Sequence, residues 1–166
     1  MKSVEVRLTK KEIVEPKVDF ILELEHVKVK ANESDKPIFK VEGSKQLGKF
    51  LVLEIGDYTQ EVLMALYLNT KNEVLYKQNL FVGVVDEANV SPFQVVQSTV
   101  LVNAPKVVIA HNHPSSHIEY PSDNDVEFTQ RLNACLQMLG VDLLDSFVVS
   151  VDSYCSLAEC GLLYGE

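Results

Sequence analysis

The feature that most constrains this chain is a pair of histidines directly after a short apolar run. Residues 106–110 (KVVIA) are mostly β-branched and apolar, which predicts a buried strand. His111 and His113 follow, separated by Asn112, and Pro114 comes next. Side chains at i and i+2 of an extended backbone point to the same face, so both imidazoles can reach one metal ion. The segment therefore predicts a buried strand that leads into a metal-binding pair.

A carboxylate that can complete this site opens the next predicted helix. Asp125 lies three residues after Ser122, which is a preferred residue type for a helix start. Two neutral imidazole nitrogens and one carboxylate oxygen, with the fourth position open, form the ligand set of a catalytic zinc that activates water. This set favours a hydrolase. The same spacing also fits a simple capping box, and the two roles are compatible.

One further histidine lies in the loop between these ligands. His117 is either an exposed loop residue or a fourth metal contact. We favour the exposed position because a fourth protein ligand would close the coordination position that water needs. The serines of the same loop, Ser115 and Ser116, fit turn positions better than nucleophiles, since no Ser-His-Asp arrangement is evident.

Length and composition predict one full-sized domain with a small extension. The chain has 166 residues, of which 46% are hydrophobic. We expect residues 1–35 to form a strand-rich N-terminal extension and residues 36–166 to form the main domain. No apolar stretch fits a signal peptide or a bilayer span, so we expect a cytoplasmic protein. Three cysteines without a CxxC pair fit a reducing compartment, and Cys135 fits the apolar stripe of a helix.

The charge distribution bears on the partners that the main domain can bind. The chain carries 15 Lys and Arg against 24 Asp and Glu, a net charge of −9, and the acidic excess lies wholly in residues 43–166. Phosphate backbones are bound mainly through Lys and Arg, and an acidic surface repels them. These charges disfavour nucleic acid as a substrate, although a bound divalent cation would change the local field.

The hydrophobic pattern predicts strands and helices that alternate without regular βαβ repetition. This order favours an α+β fold with a mixed β-sheet flanked by helices. The predicted strands are 4–8, 20–29, 61–68, 74–85, 106–110 and 141–151, and the predicted helices are 44–53, 92–103, 122–139 and a short one within 156–163.

These motifs together resemble the JAB/MPN metalloprotease family, also called JAMM, and specifically its bacterial RadC-like branch. The resemblance rests first on the string HNHPS at 111–115 with Pro121, Ser122 and Asp125. Further similar segments are Gln60-Glu61 with 66–72 (LYLNTKN), Ser91-Pro92, Asn103-Ala104 and Leu143-Leu144-Asp145. The similarity covers roughly residues 36–163, and it implies a JAB/MPN-like architecture, which is cytidine-deaminase-like.

The resemblance also implies a role for each matching residue. His111, His113 and Asp125 would bind one Zn²⁺ per chain, and Glu61 would be the general base or acid facing the zinc-bound water. Ser122 would stabilise charge at the reacting carbonyl. The implied substrate is a peptide or protein, cleaved at a peptide or isopeptide bond. Glu61 is selected by the resemblance alone, because nothing else in the sequence distinguishes it from the other acidic residues.

The sequence departs from the family pattern at three places. One extra residue lies between His113 and Ser122, Ser116 replaces a glycine, and Ser146 replaces a histidine. Loops absorb such changes, so we expect the metal ligands still to converge.

Two other classes of function remain open. One is a non-catalytic JAB-fold scaffold or binding module, and for either class of function a homo-oligomer stays open. The other is a DNA-metabolism role, suggested only by the historical naming of RadC-like proteins as DNA-repair proteins. The spacing excludes the HExxH zincins and the zinc deaminases. The letters HNH at 111–113 also do not indicate an HNH nuclease, whose residues are expected to spread over a longer unit.

Overall fold

The computed structural model describes residues 4–11, 21–29, 36–83, 91–114 and 120–164. Its backbone contacts divide the chain into two units, Met1–Lys36 and Pro37–Glu166. In the first unit, strand β1 (Val4–Lys11) pairs with strand β2 (Ile21–Val29) in antiparallel orientation. Both strands were predicted from the sequence. The assignment of residues 1–35 as an extension of a main domain at 36–166 stays a prediction.

The second unit combines one sheet with helices on both of its faces. Within the described residues its elements are, in chain order, β3 (Phe39–Lys40), α1 (Ser44–Ile55), β4 (Glu61–Leu68), β5 (Glu73–Gly83), α2 (Pro92–Val102), β6 (Lys106–Asn112), α3 (Asp123–Met138), β7 (Asp142–Val149) and β8 (Tyr154–Ser156). The sheet order is β3-β5-β4-β6-β7-β8. Among the described strands of this sheet, only β6 and β7 pair in parallel. The predicted α+β class with a mixed sheet is confirmed.

Alternating side chains of the central strands build a separate core on each face of the sheet. In β4, Val62 and Met64 belong to the core that contains α1, whereas Leu63 and Ala65 belong to the core that contains α2 and α3. Strand β4 is buried along nearly its whole length because helices cover both faces. The two faces therefore receive opposite residues of each strand, and this alternation decides which side chains can meet α3.

Several predicted elements are confirmed with boundaries within a few residues. These are helices α1, α2 and α3, the hairpin of β4 and β5, and strands β6 and β7. Ser122 is the N-cap of α3, as its residue type predicted, and Gly140, with φ of 70°, follows the helix. In the described part of the chain, no helix has the combined length and apolar character that crossing a bilayer requires.

Two local predictions were wrong. Residues 157–161 form turns after strand β8 rather than a short helix, since β8 pairs with β7 and the turns are bonded to buried side chains. Cys135 is exposed rather than part of the buried stripe of α3. The buried residues of that helix are Thr129, Leu132, Asn133 and Leu136, so the face that packs on the sheet is rotated from the predicted one.

Candidate metal centre

Strand β6 brings His111 to the centre of the sheet. The strand runs two residues beyond its predicted end, and His111 is paired with Leu63 of β4 and Val148 of β7. His113 lies just after the strand, where its backbone N–H donates to the carbonyl oxygen of Val149 at 2.9 Å. The backbone of both histidines is therefore held by the sheet, so their imidazoles start from fixed positions on one face.

Helix α3 brings Asp125 to the same place through its N-terminal cap. The Ser122 backbone N–H and hydroxyl donate to Asp125 Oδ2 at 2.8 and 2.7 Å, and the Asp125 N–H donates to Ser122 Oγ at 3.2 Å. This reciprocal pattern is the predicted capping box. It leaves Asp125 Oδ1 directed at His111. The capping role and a metal-ligating role are therefore compatible in this geometry.

The three side chains converge with the spacing of a metal-binding triad. His111 Nε2 lies 3.1 Å from His113 Nε2 and 3.0 Å from Asp125 Oδ1, and His113 Nε2 lies 3.6 Å from Asp125 Oδ2. Ligands about 2.0–2.1 Å from a tetrahedral zinc are about 3.3 Å apart, and these three distances, two of which end on different oxygens of Asp125, lie near that value. Among the His, Cys, Asp and Glu side chains of the described residues, these three form the cluster that can hold a metal ion.

The electrostatics of the triad keep the Asp125 carboxyl group ionised. His111 is only 9% exposed and Asp125 is half-buried. Burial raises the pKa of Asp125, but hydrogen bonds from His111 and His113 outweigh it and hold this pKa well below its ordinary value. Asp125 is therefore ionised at any ordinary pH. A carboxylate next to two imidazole nitrogens is a ligand set suited to Zn²⁺.

Glu61, the proposed general base, is the first residue of β4 and is half-buried. Leu63 pairs with His111 in the antiparallel ladder, and residues i and i+2 of a strand share a face. Glu61 therefore lies on the same face of the sheet as His111, and the register continued past the last pair aligns it with His113. The strand register thus places Glu61 on the face of the sheet that carries His111.

Asn112, between the two histidines, fixes the backbone on both sides of Glu61. Its side chain points to the opposite face, where Oδ1 accepts from the Val62 N–H at 2.7 Å. Its Nδ2 donates to the carbonyl oxygens of Gln60 and Tyr58 at 3.1 and 3.2 Å. Asn112 is fully buried and has partners on both ends of its amide. Sequence analysis gave it no role, because only the pairing of β4 with β6 reveals its partners.

Ser146, which replaces a family histidine, also acquires a structural role. Thr129, one turn after Asp125 in α3, donates a hydrogen bond from its hydroxyl to Ser146 Oγ at 3.0 Å. Both residues are 1% exposed. The bond ties α3 to β7 next to the triad. A serine at this position therefore helps to hold the helix that carries Asp125.

The remaining departures from the family pattern fall in a loop of which little is described. Ser116 and His117 lie outside the described residues, so the predictions made for them stay predictions. The extra residue between His113 and Ser122 belongs to the same loop. His111, His113 and Asp125 converge across this loop, as predicted.

Comparisons with known proteins agree with this geometry. A family model described as RadC-like JAB domain matches residues 41–162. A UPF0758 protein of Streptococcus suis is 38% identical over 72% of this chain and 48% of its own length. UPF0758 proteins of Streptococcus sanguinis and Enterococcus faecalis are 36% and 34% identical over 72% of this chain, and over 52% and 51% of their own lengths. The chain spans about half the length of the curated relatives it matches.

Proposed function

This chain belongs to the RadC-like JAB domain family, and on that premise we propose that it is a zinc-dependent hydrolase that cleaves a peptide or isopeptide bond. The observation that carries the proposal is the convergence of His111, His113 and Asp125, whose imidazole nitrogens and carboxylate oxygens lie near the spacing of ligands around a tetrahedral ion. Three protein ligands leave one coordination position for water, which is the arrangement of catalytic rather than structural zinc sites.

The fit of these residues to zinc defines what each would contribute. A zinc ion held by the two imidazoles and the carboxylate would supply Lewis acidity, which lowers the pKa of bound water to about 7 and polarises a carbonyl. Asp125 would supply the anionic ligand, and Ser122 would orient it through the hydrogen bond to Oδ2. In our proposal Ser122 also stabilises charge at the reacting carbonyl, as the family resemblance implies.

Glu61 would carry the proton transfers of hydrolysis. Its carboxylate would accept the proton of the attacking water as the new C–O bond forms. It would then return that proton to the leaving nitrogen as the C–N bond breaks. The support for this role is its half-buried position on the His111 face at the start of β4, with Asn112 fixing the backbone of both neighbours.

The charge of the protein supports a peptide substrate over a nucleic acid. The net charge of −9 disfavours binding to a phosphate backbone. Acidic residues also occupy the first turn of α3, where Asp123 is exposed beside the triad. An extended peptide that lies beside the sheet edge has no phosphate backbone, so these acidic charges would not repel it in the same way.

The test compares Glu61→Gln with the unmodified full-length chain on a panel of fluorogenic peptides and isopeptide-linked conjugates. Zinc content of each protein is measured by elemental analysis. We expect about one zinc per chain in both proteins, and loss of hydrolysis only in Glu61→Gln. Glu127→Gln removes the same charge from an exposed position of α3 and should retain activity.

Three outcomes would contradict the proposal. Unchanged turnover by Glu61→Gln would remove Glu61 from the reaction. A folded protein that binds no zinc and hydrolyses nothing on the panel would instead favour the scaffold or binding module. Nucleic-acid binding that weakens steeply with salt would favour the DNA-metabolism role.

A further inference from the structure

We propose that Cys155 and Cys160 form a reversible dithiol–disulfide pair that is oxidised by low-molecular-weight disulfides. Their sulfur atoms lie 3.3 Å apart. A disulfide bond is about 2.05 Å long, so closure requires the sulfurs to approach by only about 1.3 Å. The pair is a modification site, and the proposal does not depend on the hydrolase activity.

The turn after β8 holds the two cysteines close together. The Cys160 N–H donates to the Ser156 carbonyl oxygen at 3.1 Å, which returns the chain toward Cys155. The same turn is anchored to the sheet, because the Ala158 N–H and the Ser156 hydroxyl donate to the Asp145 carboxylate at 3.0 and 2.6 Å. These bonds order the backbone before any oxidation. Closure of the disulfide therefore carries little additional entropic cost.

The unequal exposure of the two thiols assigns them different steps. Cys160 is exposed, whereas Cys155 is buried in β8 and packs with Val148 and Leu157. The Cys160 thiolate attacks one sulfur of the small disulfide, forms a mixed disulfide and releases the first small thiol. Cys155 then loses its proton and attacks Cys160 Sγ, which breaks the mixed disulfide and releases the second. Two protein thiols are oxidised, and one small disulfide is reduced to two thiols.

This pair is separate from the metal centre, although both lie on one face of the sheet. His111 pairs with Val148, and Val148 pairs with Cys155, so two strand spacings separate His111 from Cys155. That separation is about 10 Å between backbones. Neither cysteine belongs to the group of metal-ligating atoms around Asp125. The thiols are therefore available for redox chemistry when the metal ligands are occupied.

The experiment exposes the reduced full-length chain to oxidised glutathione and follows intact mass and free thiols. We expect the mass to fall by two hydrogen atoms and the reactive thiols to fall from the three free cysteines to one. Peptide mapping should join residue 155 to residue 160. The Cys135→Ser variant is the matched control and should close in the same way, because Cys135 lies elsewhere, in α3.

Two variants make the proposal falsifiable even if a buried substitution perturbs folding. Cys155→Ser should accumulate a stable glutathione adduct on Cys160, which the unmodified protein resolves. Cys160→Ser changes only an exposed residue and should abolish closure. A lasting glutathione adduct on Cys160 of the unmodified protein would overturn the proposal. So would formation of an internal disulfide, seen as a loss of two hydrogen atoms in mass, in Cys160→Ser.

Discussion

Two aspartates of the main unit, Asp125 and Asp145, lie in networks of opposite character. Asp125 contacts the imidazoles of His111 and His113, which hold its pKa well below the ordinary value despite partial burial. Asp145 is buried, and this burial raises its pKa even though it accepts several hydrogen bonds. Its donors include the Ser156 hydroxyl at 2.6 Å, the Ser146 N–H at 2.8 Å and the Ala158 N–H at 3.0 Å, and the Ser44 side chain also contributes.

The two networks differ in whether the hydrogen-bond partners of the aspartate can release a proton. Hydroxyl and amide donors keep their protons at ordinary pH, so the partners of Asp145 always point donors at it. Imidazoles can lose a proton and then offer a lone pair, so a cation bound beside the Asp125 carboxylate can replace the protons of its two imidazole partners. The first network stabilises the fold at the β8 turn. The second network is suited to a ligand.

The largest effect is expected from breaking the Asp125 network at His111. Changing His111 to Ala removes one of the three proposed zinc ligands, and loss of an outer-shell partner alone costs about 10–100-fold in metal affinity. We therefore expect zinc affinity to fall by more than about 100-fold, measured by competition with a chelator. The native circular dichroism should remain. An affinity within tenfold of the unmodified protein would show that His111 is not a ligand.

The second prediction breaks the Asp145 network. Asp145→Ala leaves buried donors without their acceptor, each a loss of about 1 kcal/mol, so the free energy of unfolding should fall by about 2–3 kcal/mol. Urea denaturation measures this change. Zinc affinity of the folded protein should stay within about twofold, because Asp145 makes none of the triad contacts. If fully folded Asp145→Ala lost much of its zinc affinity, the Asp145 network would be coupled to the Asp125 network. That result would contradict the separation of the two networks.

A third prediction concerns Asn112, which supports the site from the opposite face. Asn112→Ala removes buried hydrogen bonds to the backbone on both sides of Glu61, so we expect about 1.5 kcal/mol of lost stability. If Asn112 is a positioning residue, kcat per folded molecule should also fall by about tenfold while zinc remains bound. A kcat that follows only the folded fraction would reduce Asn112 to a structural role.

The smallest expected effect is the pH dependence of the stability that Asp145 contributes. The folded pKa of Asp145 is raised, so its stabilising contribution is present below the unfolded value of 3.8 and is lost as the pH rises through the folded pKa. Asparagine does not titrate. The unfolding free energy of the unmodified protein minus that of Asp145→Asn should therefore decrease as pH rises from about 4. If this difference in unfolding free energy instead grew with pH, the folded pKa of Asp145 would have to be lowered, which would contradict the prediction.

The sequence was informative where local patterns decide the structure. The KVVIA run with its histidines predicted β6, and Ser122 with Asp125 predicted the start of α3. Together they predicted the convergence of the triad, because the strand alternation and the helix cap each fix the direction of a side chain. The mixed α+β sheet followed from the order of apolar runs.

The parts that were missed depend on contacts between distant segments. Asn112 binds the backbone around Glu61 only because β4 and β6 pair, and no local pattern shows that pairing. The residues after Ser156 form a turn rather than a helix because Asp145 accepts bonds from them. Cys135 resembled a core residue by spacing, but the packing of α3 selected Thr129 and Asn133 instead. Glu61 was identified only through the family resemblance.

The most direct test of the central claim is anomalous diffraction at the zinc absorption edge from crystals of the full chain grown with zinc. The account predicts one strong peak about 2.0–2.2 Å from His111 Nε2, His113 Nε2 and a carboxylate oxygen of Asp125. A zinc peak held by other residues, or no peak between these three side chains at full zinc loading, would contradict it.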